Sequence, residues 1–125
     1  MPSSRFLAVA SVIAGALVAT TAQAHPRLVA ANPAPNAVVS APQMVQLRFS
    51  ERLVDHFSGA DILRRSDRGQ APSKLNGTHA RLERNGTTMT IQLDRPLSKG
   101  AYQLAWHVVS TDTHRMSGSY NFQVR

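Results

Sequence analysis

From Arg27 onward the chain alternates apolar and polar residues with a period of two. Val45, Leu47 and Phe49 are separated by Gln46 and Arg48, and Met89, Ile91 and Leu93 by Thr90 and Gln92. Tyr102, Leu104, Trp106 and Val108 share one face of the longest run, and Tyr120, Phe122 and Val124 close the chain in the same way. Such alternation predicts strands with one face in a core and the other in water. Turn-forming sequences punctuate it: Asn32-Pro33-Ala34-Pro35-Asn36, Asn76-Gly77, Asn85-Gly86 and Ser98-Lys99-Gly100. The spacing predicts seven strands, near residues 27–31, 43–49, 59–64, 78–84, 87–93, 101–109 and 118–124. That count predicts an all-β fold, an immunoglobulin-like Greek-key sandwich or barrel. Asn85-Gly86, between two alternating runs, predicts a type I′ hairpin from Arg81 to Leu93. Trp106 is expected to fill the core between the sheets.

The first 24 residues follow a different pattern. Arg5 precedes a nearly unbroken apolar run from Phe6 to Val18, and Ala22-Gln23-Ala24 is a small-x-small sequence. This is the layout of a secretory signal peptide, with an apolar core shorter than the roughly 20 residues a spanning helix needs. Cleavage after Ala24 leaves one domain, residues 25–125, outside the cytoplasm and beginning with His25-Pro26.

Composition narrows the chemistry. The chain has no cysteine, so disulfides, thiolate metal sites and cysteine nucleophiles are excluded. Lys and Arg number 14 against 7 Asp and Glu, a charge that fits solubility or attraction to an anionic membrane surface. The one local basic cluster, Arg64-Arg65-Ser66-Asp67-Arg68, has no interleaved aromatics on which bases could stack, so nucleic acid is not the expected partner.

A free amino-terminal His25 offers two nitrogens from one residue, the α-amine and the ring Nδ1, which close a six-membered chelate. Copper(II) favours such tetragonal nitrogen and oxygen sets. Pro26 has no amide proton to lose, so the metal cannot take the next backbone nitrogen, and the other ligands must come from elsewhere. Asp112-Thr113-His114 reads either as a polar turn between two strands or as that partner, with residues i and i+2 of an extended segment projecting to the same side.

Taken together, His25-Pro26-Arg27-Leu28-Val29, Asn32-Pro33-Ala34, Leu47-Arg48-Phe49-Ser50-Glu51, Phe57-Ser58-Gly59-Ala60, Gly100-Ala101-Tyr102 and Val109-Ser110-Thr111-Asp112-Thr113-His114 followed by Gly118 resemble the CopC-type periplasmic copper-binding proteins over almost the whole mature chain. The resemblance implies a Greek-key β-sandwich that holds one copper(II) per chain through the amine and ring of His25, the carboxylate of Asp112 and the ring of His114. It also places Glu51 near the metal, as a distant ligand or as a hydrogen-bond acceptor behind the ligands. Some family members carry a Met-rich copper(I) loop. The matching stretch, Leu63 to Leu75, has neither Met nor His, which implies a copper(II) site only. Arg115 stands where the family often has proline. Met116 is expected to pack rather than to bind metal.

The function implied is binding, buffering and carriage of copper in the periplasm, as a monomer, with hand-over to an inner-membrane copper transporter of CopD type. No enzymatic role is expected. A histidine-brace copper oxygenase fits less well, because Asp112 fills a position that oxygen activation needs open and no aromatic row suggests a polysaccharide platform. An immunoglobulin-like interaction module without metal predicts that copper changes nothing. His56, His79 and His107 are expected to be structural or exposed, with His56 held in reserve as an additional weak contact because Asp55-His56 follows Glu51 closely.

Overall fold

A computed structural model describes Gly15, Leu17 and residues 25–125. The signal-peptide reading of residues 1–24 lies, apart from those two positions, outside the described residues. Nine strands form two facing sheets: β1 (Leu28–Asn32), β2 (Val38–Val39), β3 (Met44–Phe49), β4 (Gly59–Arg64), β5 (Ser73–Lys74), β6 (Thr78–Leu82), β7 (Thr88–Leu93), β8 (Gly100–Val109) and β9 (Arg115–Val124). One sheet runs β1-β3-β7-β6 and the other β2-β9-β8-β4-β5. The seven strands expected from the alternation are all present. The two additional ones, β2 and β5, are two residues long and carry no periodic signal.

The predicted inward faces form the core. Val45, Leu47 and Phe49 from β3, Met89, Ile91 and Leu93 from β7, Tyr102, Leu104 and Val108 from β8, and Tyr120, Phe122 and Val124 from β9 are buried in one cluster. That face carries the apolar residues, so the period of two fixes the register: a slip of one residue would expose the whole set. Trp106 packs against this cluster but is only half-buried. Its ring bridges the sheets at the edge of the core, 6.3 Å from Phe49 and 6.1 Å from Tyr120 by ring centroids. Tyr120 is largely desolvated, which pushes its hydroxyl well above the ordinary range. The hydroxyl keeps its proton and donates it to Pro33 O at 2.7 Å, tying the first turn to β9.

The 83–88 hairpin forms where expected, with Leu82 opposite Met89, but its turn is not type I′. That turn would require positive φ at both Asn85 and Gly86, and only Gly86 has it, at 74°. The chain turns over Arg84-Asn85, with Gly86 N–H donating to Glu83 O and Glu83 N–H to Thr88 O. The Asn85 side chain accepts from the Thr87 and Thr88 amides, a bonding pattern that competes with the mirror-image turn.

Chain direction gives the sandwich two distinct ends. At one lie residues 25–27, the 50–58 connection, the 83–87 turn and the β8–β9 hairpin. They are joined by Ser50 N–H to Arg27 O, Leu53 N–H to Gly86 O, Val54 N–H to Val109 O and Thr111 N–H to Arg52 O. At the other lie the 33–37, 65–77 and 94–99 connections and the C-terminus.

Candidate metal centre

The three central residues of the sequence reading lie at the first of these ends, linked through His114. The His25 and His114 rings stand edge to face, with centroids 4.8 Å apart. His114 Nδ1 lies 3.1 Å from Asp112 Oδ1. Residues 89 positions apart in sequence are thus adjacent in space.

Each is held by backbone geometry. Residues 25–27 run beside the end of β3, where Ser50 Oγ accepts from Arg27 N–H at 2.9 Å and faces His25 O at 3.5 Å. Val29 is bulged out of the β1–β3 ladder, with Leu28 opposite Phe49 and Ala30 opposite Arg48. A bulge increases local twist and re-aims the strand that follows or precedes it; here the re-aimed part carries His25.

The 110–114 segment is not extended, which corrects the geometry expected for Asp112 and His114. It is a tight hairpin loop closed by Thr113 N–H to Ser110 O and by Ser110 N–H to His114 O, both 2.9 Å. Thr113 has φ 74°, the left-handed position that a three-residue hairpin loop requires at its last residue. The carboxylate and imidazole therefore converge because the chain turns, and alternation along a strand plays no part.

A β-branched residue in that conformation is strained, since its side chain crowds the backbone. Replacing Thr113 with Gly is expected to stabilise the metal-free protein by up to about 1 kcal/mol. Urea unfolding of the metal-free variant checks this; a lower midpoint would show that the threonine is held by favourable contacts instead.

Ser110 is buried and hydrogen-bonds to Asp112 Oδ1, which also faces His114 N–H at 3.3 Å. The Ser110 hydroxyl, against an opposing effect of desolvation and with smaller help from the His114 side chain and amide, holds the Asp112 carboxyl below the usual carboxylate range. An ionised carboxylate is thus ready as a ligand. His114 Nδ1 is buried and, although close to Asp112 Oδ1, is not in hydrogen-bonding geometry with any group. A buried nitrogen of this kind, facing a carboxylate and beside a second imidazole, fits a metal ion better than it fits a satisfied polar cluster.

Among the described residues no group of three or more His, Cys, Asp or Glu side chains stands close enough to hold a metal ion as it is. His114 adjoins His25 on one side and Asp112 on the other, and the fourth donor of the sequence reading, the α-amine, is an amide nitrogen in the 125-residue chain. Glu51 is half-buried one residue beyond Ser50, at this same end, and no hydrogen bond or ion pair joins it to His25, Asp112 or His114. His56 is exposed in a short 3₁₀ turn, Asp55–Phe57, also at this end. His79 pairs with Asp94 at 2.9 Å, far from it, and His107 lies across Gly59 on the neighbouring strand. Met116 is not packed away as expected: it is 39 % exposed and lines a groove with Pro26 and Trp106, because the start of β9 reaches past the core.

Sequence reasoning did not assign roles to Ser50 and Ser110. Both stand inside stretches that carried the family resemblance, but a serine has no periodicity, and only the fold shows what its hydroxyl meets.

The fold and site together define a small two-sheet β-sandwich with a histidine-carboxylate constellation at one end. Residues 28–125 match the CopC domain, and the chain belongs to the CopC family. Copper resistance protein C of Pseudomonas syringae pv. tomato is 40 % identical over 114 residues, covering 90 % of each chain. The crystal structure of PcoC, a methionine-rich copper resistance protein from Escherichia coli, superposes with a TM-score of 0.74 at 34 % identity, covering 82 % of this chain and all of that one. Copper transport protein CutJ of Bacillus subtilis is 28 % identical over 109 residues, which cover 83 % of this chain but 19 % of that protein.

Proposed function

We propose that this copper-binding protein of the copper-resistance class, processed to expose His25, holds one copper(II) ion through the amine and ring of His25, the carboxylate of Asp112 and the ring of His114. It is a carrier and not an enzyme. It works in the periplasm, buffering copper and passing it to an inner-membrane transporter of CopD type. The observation that carries this reading is the 4.8 Å contact between the His25 and His114 rings, which joins the start of the domain to a hairpin whose carboxylate is already held ionised. Membership of a family whose relatives are named for copper resistance supports the cargo, and the CopC-like part of a protein named for copper transport supports the hand-over. Glu51 is assigned behind the ligands, where it can accept a hydrogen bond from a coordinated group.

The chemistry of the donors fits the cargo. Two imidazoles, an amine and a carboxylate match the nitrogen and oxygen preference of copper(II), whereas copper(I) favours thioether and thiolate sulfur. The test is a copper(II) titration of the protein beginning at His25, against a calibrated competing chelator and with the spin-resonance spectrum recorded. The expected result is one copper per chain in a tetragonal, nitrogen-rich site. Protons compete for the amine and the imidazoles, so binding is expected to weaken steadily as pH falls. Asp112, held low, stays ionised longest. Full affinity retained at pH 4 would overturn the ligand set.

A further inference from the structure

The charge of this domain is divided unevenly between its two ends. Around the metal centre the basic excess is two: Arg27, Arg48, Arg52, Arg81, Arg84 and Arg115 stand with Glu51, Asp55, Glu83 and Asp112, and Arg81 faces Glu83 at 3.9 Å. At the opposite end Arg64, Arg65, Arg68, Arg95, Lys99 and Arg125 stand with only Asp67 and Asp94, and Asp94 is engaged by His79. Lys74 is paired with Asp61 at 2.9 Å and adds nothing to the balance. All six of these basic residues are exposed.

The fold builds this concentration. Arg64 at the end of β4 reaches across to Ser98 Oγ, Tyr102 OH and Lys99 O, with its guanidinium 5.6 Å over the Tyr102 ring. That clamp ties the 65–73 connection to the 98–100 turn. Arg65 and Arg68 then line one open cleft with Arg64, Ser66, Ser73 and the single carboxylate Asp67, and Arg65 also faces a second, on the side of Asn36 and Asn121. Neither the Arg65 nor the Arg68 guanidinium is taken up by a hydrogen bond or an acidic partner within the domain.

We infer that this basic end docks on an anionic phospholipid surface, with the metal centre held at the opposite end, facing water. A fluid anionic surface matches charge spread over a whole end. A protein partner would be expected to find an apolar or aromatic anchor there, yet the exposed large apolar residues at this end are Val38 and Met44 alone, while Phe57 and Met116 are exposed at the metal end. Each basic residue near such a surface strengthens partitioning by about fivefold, and the attraction is screened within a Debye length of about 10 Å at 0.1 M salt. β8, which runs the height of the sandwich, is 10 residues long, so the centre would stand on the order of 30 Å from the lipid. Copper could then be loaded while the protein is docked. Hand-over would use a part of the transporter that rises above the bilayer, or follow release.

The orientation rests on the proposed site, whereas the docking does not, and the experiment separates them. The protein beginning at His25 is sedimented with vesicles containing phosphatidylglycerol and with vesicles of phosphatidylcholine alone, at low and at 0.5 M sodium chloride. Binding is expected only to the anionic vesicles, and it should be lost at high salt. The Arg65→Gln/Arg68→Gln variant is expected to lose tenfold or more in partitioning while binding copper(II) as before. An Arg52→Gln/Arg84→Gln variant at the metal end, carrying the same change in net charge, should keep it. Equal binding to both vesicle types, no binding to either, or equal losses in the two variants would each overturn the docking; the last would show a response to net charge alone. Failure of copper titration with vesicle binding intact would overturn the site and leave the basic surface standing.

Discussion

Acetylation of the His25 α-amine is expected to weaken copper(II) binding on the order of a hundredfold or more, about 2.7 kcal/mol, while leaving the fold unchanged. Acetylation turns the α-amine into an amide and supplies no new amine in its place. The six-membered chelate between that amine and the His25 ring is then lost, and the imidazole becomes a single-point ligand. In a flexible peptide, copper(II) replaces such a loss by deprotonating the next backbone amide. Pro26 has none, and Arg27 N–H is already used by Ser50 Oγ. The acetylated site is left with the His25 amide alone, which has no free amine beside it to anchor the metal while its proton is lost. Competition titration of the two proteins, with spin-resonance spectra of both, measures the difference; equal affinities would show that the amine is not a ligand.

Gly118→Ala is expected to destabilise the domain by about 1–3 kcal/mol, as over-packing at a close contact does. Gly118 faces Trp106 across β8 and β9, and the indole lies directly on it. A Cβ added there would overlap Trp106 Cζ2 and stand 2.7 Å from Cε2 and Cη2, well inside van der Waals contact. The ring cannot slide inward, because Phe49 and Tyr120 flank it. It must swing toward solvent or force the strands apart, and either loses the contact that joins the sheets. Trp106 is the one tryptophan of the chain, so its fluorescence reports both the displacement and the urea midpoint. A variant with unchanged emission and midpoint would mean that the ring is not wedged.

Much of the fold was legible because a half-buried strand writes its burial into alternate residues. Val45, Leu47 and Phe49, or Tyr120, Phe122 and Val124, could be assigned inward without knowing what they meet. β2 and β5 escaped notice because two residues make no period, and they exist through pairing with β9 and β4. The Asn85-Gly86 turn was located correctly and typed wrongly: the dipeptide signals a reversal, but the Asn85 side chain chooses among turns by what it bonds. Trp106 was expected deep in the core and lies at its edge, since alternation gives the face a residue points to and not how far the opposite sheet extends.

The candidate site divides in the same way. His25 stood out because a chelating terminus depends on one residue and its neighbour Pro26, and Asp112 and His114 because a carboxylate and an imidazole lie two positions apart. The sequence by itself determined which candidate donors the chain offers, the alternating core and the absence of Met, His and Cys from the Leu63 to Leu75 stretch, all of which are local properties of composition and order. Only the tertiary structure decided that His25 meets His114, that a strained turn at Thr113 aims Asp112, that Ser50 and Ser110 hold the two halves, and that the larger basic excess collects at the far end. Those depend on which loops share an end of the sandwich, and that follows from strand pairing between residues far apart in the chain.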